Sequence, residues 1–142
     1  MKHILAATDG SQGASRGVAA AAELARLAGA TLSIITVGNE GIDGDLRPLA
    51  RAEGGVGAAL DLLMERTLLE ARGTAGRHGI PHVQTHTGWG DAAEVILETA
   101  ARIESDLIVV GRRGRGRLSG LLLGSVSQKI VTLAPCAVLV IP

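Results

Sequence analysis

The chain has 142 residues, with Lys plus Arg and Asp plus Glu at 14 each, so it carries no formal net charge. That balance argues against bulk attraction to nucleic acid or to an anionic membrane. The length fits one domain, 1–142, able to bury roughly two-thirds of the surface that the unfolded chain exposes. Aromatic residues are only 1% of the chain against 46% hydrophobic, with one Trp and no Tyr or Phe. The core must therefore be built from Ala, Val, Ile and Leu, which suits helices packed on a buried parallel sheet. One cysteine, Cys136, leaves no internal disulfide and fits a reducing compartment. No apolar run reaches the roughly 18 residues of a membrane span. The opening Lys2-His-Ile-Leu-Ala6 has no signal-peptide pattern. A soluble cytoplasmic domain is the expectation.

In chain order, Ile4–Thr8 reads as a short buried strand, broken at Asp9-Gly10-Ser11. Ser11 or Ser15 can cap a helix that runs through Arg16 to Ala28 and stops at Gly29. Thr31–Val37 is a second, β-branched strand. Residues 38–57 carry many Gly, Asp and Arg residues and one Pro, and read as a long loop. A helix from about Ala58 to His78 is stopped by Gly79 and Pro81, and His82–Thr87 alternates weakly as a third strand. Asp91 can cap a helix through Val95, Ile96 and Ala100. Asp106–Val110 is a fourth strand, Ser125–Leu133 a helix, and Ala137–Ile141 a fifth strand. This alternation predicts an α/β fold: a five-stranded parallel sheet with helices on both faces, right-handed crossovers and the flavodoxin-like order 3-2-1-4-5. Ligands of such sheets bind beyond the strand C-termini where the order reverses, here between strands one and four. Asp9 and Gly111 stand at those two ends.

Gly111-Arg-Arg-Gly114, nine further residues, and Gly124-Ser125 follow the fourth strand and precede a helix. Glycines let backbone N–H groups approach an anion without a Cβ in the way. A helix N-terminus adds unpaired donors and a partial positive charge. Together they point to phosphate, although each glycine alone reads equally as a turn and Ser125 as a helix cap. Arg112, Arg113, Arg115 and Arg117 suit phosphate bidentately, or form a solvated basic loop. A nucleic-acid reading of this cluster lacks aromatic stacking partners. Asp9 can accept from ribose hydroxyls or an adenine amino group, or close its own turn. The Val37 backbone can read a base edge, or the residue is a strand-end core valine. Trp89, between Gly88 and Gly90, can shield a base or cover the sheet edge.

Other motifs fail. No G-x-x-x-x-G-K-[ST] is present, Gly114-Arg-Gly116 continues to Ser119 rather than Gly, and there is no G-x-S-x-G elbow. His82 and His86 share one face of a presumed strand without an acidic partner at metal-ligand spacing, so no metal site is expected. Cys136, after Pro135, reads as a packed thiol.

These residues resemble the universal stress protein family, of the ATP-binding kind. Its pattern G-x2-G-x9-G-[ST] is matched by Gly111, Gly114, Gly124 and Ser125. Ile4-Leu-Ala-Ala-Thr-Asp-Gly-Ser11 is similar to the family's first strand and its nucleotide-contacting aspartate. Gly90-Asp-Ala-Ala-Glu94 is similar to the start of its third helix, with Ala92 where proline is usual. Leu122–Ser127 and Ala134–Val140 match the closing segments, and 38–57 is the weakest stretch. The resemblance implies a dimeric stress-response or signalling module that binds ATP, with or without Mg2+, and turns over little of it. Asp9 and Val37 would meet adenine or ribose; Gly111, Arg112, Gly114, Gly124 and Ser125 would hold ribose and phosphates. AMP or a cyclic nucleotide is the alternative ligand; the four arginines that crowd the loop either strengthen phosphate contacts or favour another anionic nucleotide. The family's last strand, here 137–141, would pair across a homodimer whose loaded surface a protein partner reads. A weak ATPase or self-phosphorylating enzyme, and a scaffold with a vestigial pocket, are the competing readings.

Overall fold

A computed structural model describes residues 1–38, 55–114 and 122–142. The elements are β1 (His3–Ala7), α1 (Gln12–Ala28), β2 (Thr31–Gly38), α2 (Val56–Arg77), β3 (Gln84–Trp89), α3 (Ala92–Arg102), β4 (Leu107–Gly111), α4 (Ser125–Leu133) and β5 (Ala137–Ile141). All neighbouring strands are parallel, in the order β3-β2-β1-β4-β5. This is the predicted sheet. Most of the predicted loop, residues 39–54, lies outside the described residues.

Alternation along the central strands divides the core. Ile4, Ala6, Leu32, Ile34, Leu107 and Val109 meet Ala21, Ala22 and Ala25 of α1 and Ala71 and Ala75 of α2. Leu5, Ile35, Ile108 and Val110 meet Ala93, Ile96 and Ala100 of α3 and Ile130 of α4. Two-sided burial is why these strands read as continuous aliphatic runs.

Several boundaries shift by a residue or more from the sequence reading, and those of α1 and β3 have a clear local reason. α1 starts at Gln12, because Ser11 rather than Ser15 is the N-cap and its side chain accepts from the Ala14 N–H at 3.2 Å. Gly29 closes that helix in the left-handed region at φ 64°. β3 spans Gln84–Trp89 rather than His82–Thr87, because its ladder with β2 runs from Ser33↔Gln84 to Gly38↔Trp89. Backbone pairing at an edge does not follow side-chain hydropathy. α4 has its predicted bounds, Ser125–Leu133, but Gly124 rather than Ser125 stands at the N-cap position, and no side chain caps the helix. Asp91 caps α3 as expected, accepting from the Glu94 N–H at 3.0 Å.

A polar group interrupts the core on the α3 side. The Ser33 hydroxyl, fully buried on β2, lies 2.8 Å from His3 Nε2 and 3.3 Å from His86 Nε2. His82 is exposed before the strand, whereas His86 is half-buried in it. Burial above all, then the charges of Arg102 and His3, hold the His86 imidazole below its ordinary 6.5. The unfolded chain therefore takes up that proton more readily than the folded one. The resulting stabilisation is complete above about pH 6.5 and is lost as pH falls through the lowered folded value. Denaturant midpoints at about pH 7.5 and about pH 5.5 should fall for the wild type and fall less for His86→Gln. Equal falls would refute this source of acid sensitivity.

Candidate functional site

β1 and β4 pair from Ile4↔Leu107 to Ala6↔Val109 and no further. Beyond that point the Thr8 N–H donates to the Ile35 carbonyl of β2 at 2.9 Å, and the Arg112 N–H donates to the Ile141 carbonyl of β5 at 2.6 Å. Each chain follows its outer neighbour, α1 leaves to one face, and α4 packs on the other. A cavity of about 320 Å³ opens at the divergence. Ala7, Ile35, Val37, Ala92, Ile96 and Val110 form its apolar lining. Thr8, Asp9, Arg113 and the glycine segments supply the rest.

Most of the predicted residues converge here. Asp9, Val37, Gly111, Gly114, Gly124 and Ser125 all line the cavity. Arg112 does not; its neighbour in sequence, Arg113, does. Arg112 contributes backbone instead: its N–H is joined to β5, and its carbonyl accepts from the Gly124 N–H at 2.8 Å. Arg115 and Arg117 lie outside the described residues. The Trp89 ring packs over Gly38 at the sheet edge and is not among the lining residues. Asp9 closes its own turn and also lines the cavity. Its Oδ1 accepts from the Ser11 N–H at 2.9 Å in a turn, and the residue still borders the cavity.

The glycines divide by what surrounds them. A Cβ on Gly111 would stand 2.9 Å from the Gly13 carbonyl carbon and 3.0 Å from the Ala14 nitrogen, so this glycine admits the backbone of α1. A Cβ on Gly114 would run into the Asp9 carboxylate. Around Gly124 the nearest atoms to a Cβ, at Arg112 and Arg113, are 3.5 Å away, an ordinary contact. The protein itself leaves room at Gly124.

Two helix N-termini border the cavity and differ electrically. α1 has its donors partly satisfied by Ser11. No side chain caps α4, whose first intrahelical bond runs from the Gln128 N–H to the Gly124 carbonyl. The first turn of α4 therefore presents donors and the positive end of the helix dipole beside Arg113. Across the rim, the Lys129 ammonium donates to Asp91 Oδ1 at 3.3 Å and Glu94 Oε1 at 3.1 Å, joining α4 to α3. The Glu94 N–H, and then the Lys129 charge, hold the Asp91 carboxyl below its usual range. Among the described residues no group of three His, Cys, Asp or Glu side chains is placed to hold a metal ion. The arrangement can take an apolar ring at one end, hydroxyls at Asp9, and an anion at the glycines and α4.

Sequence reasoning missed Ser127. It is buried, lines the cavity, and donates its hydroxyl to the Gly111 carbonyl at 2.6 Å. The available signal was its three-residue spacing from Ile130, the other buried position of α4.

The family model described as the universal stress protein family matches residues 1–142. A universal stress protein of Thermus aquaticus, from the QAH/OAS sulfhydrylase 3' region, is 36% identical over 99% of this chain and 98% of its own. UspA from Lactobacillus plantarum superposes with a TM-score of 0.81 at 24% identity, over 99% of this chain and 97% of its own. A universal stress protein solved in complex with cAMP superposes with a TM-score of 0.76 at 25% identity, over 99% and 97% of the two chains.

Gly111→Ala should lower stability by about 1–3 kcal/mol, because backbone must move to admit the methyl group. Gly124→Ser should leave stability unchanged or raise it by a few tenths of a kcal/mol, since serine is a good N-cap. Thermal or denaturant unfolding of the two variants checks this contrast, and equal destabilisation would contradict it.

Proposed function

The chain belongs to the universal stress protein family, and on that footing we propose that its crevice binds an adenine nucleotide as the signal-carrying state of a stress-response module. The observation that carries this reading is the meeting of the two glycine segments, Asp9 and the uncapped α4 N-terminus around one cavity. Adenine would lie against Val37, Ile35 and Ile96, with Asp9 accepting from ribose hydroxyls. Gly111, Gly114, Gly124 and Ser125 would hold ribose and phosphates, with the Gly114 and Ser125 N–H groups facing phosphate, the Gly124 N–H kept by the Arg112 carbonyl, and Arg113 beside them. Arg112 would hold that loop through its backbone. ATP is the first candidate. The cAMP complex of a relative supports AMP or a cyclic nucleotide as the alternative. With ATP, Mg2+ would travel on the phosphate oxygens, since the described residues offer it no cluster of ligands.

The reading is binding with little or no turnover. Asp9 is the one carboxylate among the described residues lining the cavity, and its Oδ1 is already engaged by the Ser11 N–H. Phosphoryl transfer needs a group that positions the attacking nucleophile. β5 forms one edge of the sheet, and Val138, Leu139, Val140 and Ile141 are only half-buried. An apolar edge with unpaired backbone groups supports self-pairing through 137–141 into a homodimer. The single thiol is compatible with the cytoplasm, the setting this reading takes.

Denaturing the purified, untreated protein and analysing the released small molecules tests the central claim. Close to one adenine nucleotide per chain is expected; none released, and none bound on titration, would overturn it. Gly114→Val should fold yet lose binding, because its side chain displaces the Asp9 carboxylate and fills the phosphate end. Sedimentation should give a mass of two chains, and a monomer at about 10 μM would remove the dimer from the proposal.

A further inference from the structure

We propose that Ser127 is a positioning residue that holds the α4 N-terminus at the distance from Gly111 which phosphate recognition needs. The inference rests on the adenine-nucleotide reading of the crevice.

The two halves of the glycine pattern come from different elements, the end of β4 and the start of α4. Two short hydrogen bonds join them. One is backbone, from the Gly124 N–H to the Arg112 carbonyl at 2.8 Å. The other is the only one the side chains control among the bonds described there, from the Ser127 hydroxyl to the Gly111 carbonyl at 2.6 Å. Ser127 is 5% exposed, so water does not readily replace it. Gly111 itself cannot shift toward α1, whose Gly13–Ala14 backbone already lies against it. Gly111 is thus a fixed post, and Ser127 ties the first turn of α4 to it. No side chain caps that turn, so its N–H groups are aimed by the tie and not by a cap. Donors fixed before the ligand arrives bind an anion more strongly than donors that must be reoriented. The base and ribose end is built from Asp9 just after β1, Val37 of β2 and Ile96 of α3, none of which takes part in this bond.

The consequence is selective. Ser127→Ala leaves the part-buried Gly111 carbonyl without the Ser127 donor and frees the turn, but removes no atom from the base end. Threonine keeps the hydroxyl. Calorimetric titration of the full chain with AMP and with adenosine separates the two ends. Ser127→Ala should weaken AMP about tenfold and adenosine by less than about twofold, while Ser127→Thr stays close to wild type. Unchanged AMP affinity, or equal losses for AMP and adenosine, would overturn the proposal. Backbone hydrogen exchange at Val126–Gln128 provides a ligand-free readout: faster exchange in Ser127→Ala is expected, and unchanged exchange would also overturn it. Failure of the wild type to bind either compound, with exchange still faster in the variant, would instead count against the nucleotide reading.

Discussion

Gly111 lies against the first turn of α1 so closely that backbone meets backbone, with no side chain between them. Gly17, one turn further along α1, repeats the approach: a Cβ there would lie 3.6 Å from the Gly111 nitrogen. Helix α1 is thereby seated across the end of β4, although it follows β1 in the chain. The seat fixes where β4 stops and where the glycine segment turns away. β1 can then complete its ladder only toward β2, and β4 only toward β5. The crevice is the gap that this divergence leaves.

The composition makes that seating possible. A core of Ala, Val, Ile and Leu lets helices approach a sheet closely, and α1 meets it through Ala21, Ala22 and Ala25 with no exposure. Bulkier side chains on this helix would lift it from Gly111. The opposite face also carries polar groups. There the Ser33 hydroxyl sits between His3 and His86 at the N-terminal ends of the strands, the pole away from the cavity. Asp106 adds a second polar tie at the same pole, accepting from the Lys2 and His3 N–H groups at 2.6 and 2.9 Å. The fold thus separates its polar fastening at one end from its anion-competent surface at the other.

Charge near the cavity is local and balanced. Arg113 and the α4 terminus are positive, Asp9 is negative, and the Lys129 pair with Asp91 and Glu94 joins the two helices at the rim. Those ion pairs are largely exposed, so they hold geometry weakly and respond to salt. The buried bond from Ser127 is the more durable constraint on α4.

The sequence alone determined the sheet, its strand order and the position of the crevice. Those follow from apolar periodicity, short connections and the handedness of parallel crossovers, which are local or general rules. It also pointed to Asp9, Val37 and the four motif residues, all of which line the cavity, because they stand at or just beyond strand ends or at a helix start. Tertiary structure decided the rest. It chose Ser11 over Ser15 as the cap and moved β3 to Gln84–Trp89, because pairing with β2 sets the edge. It brought Arg113 rather than Arg112 to the cavity lining, and it set Trp89 over Gly38. It divided the glycines into one that admits a helix, one that admits a carboxylate and one that leaves space. No local pattern carries that distinction, since the atoms that the missing Cβ of Gly111 or Gly114 makes room for belong to residues about a hundred positions away in the chain.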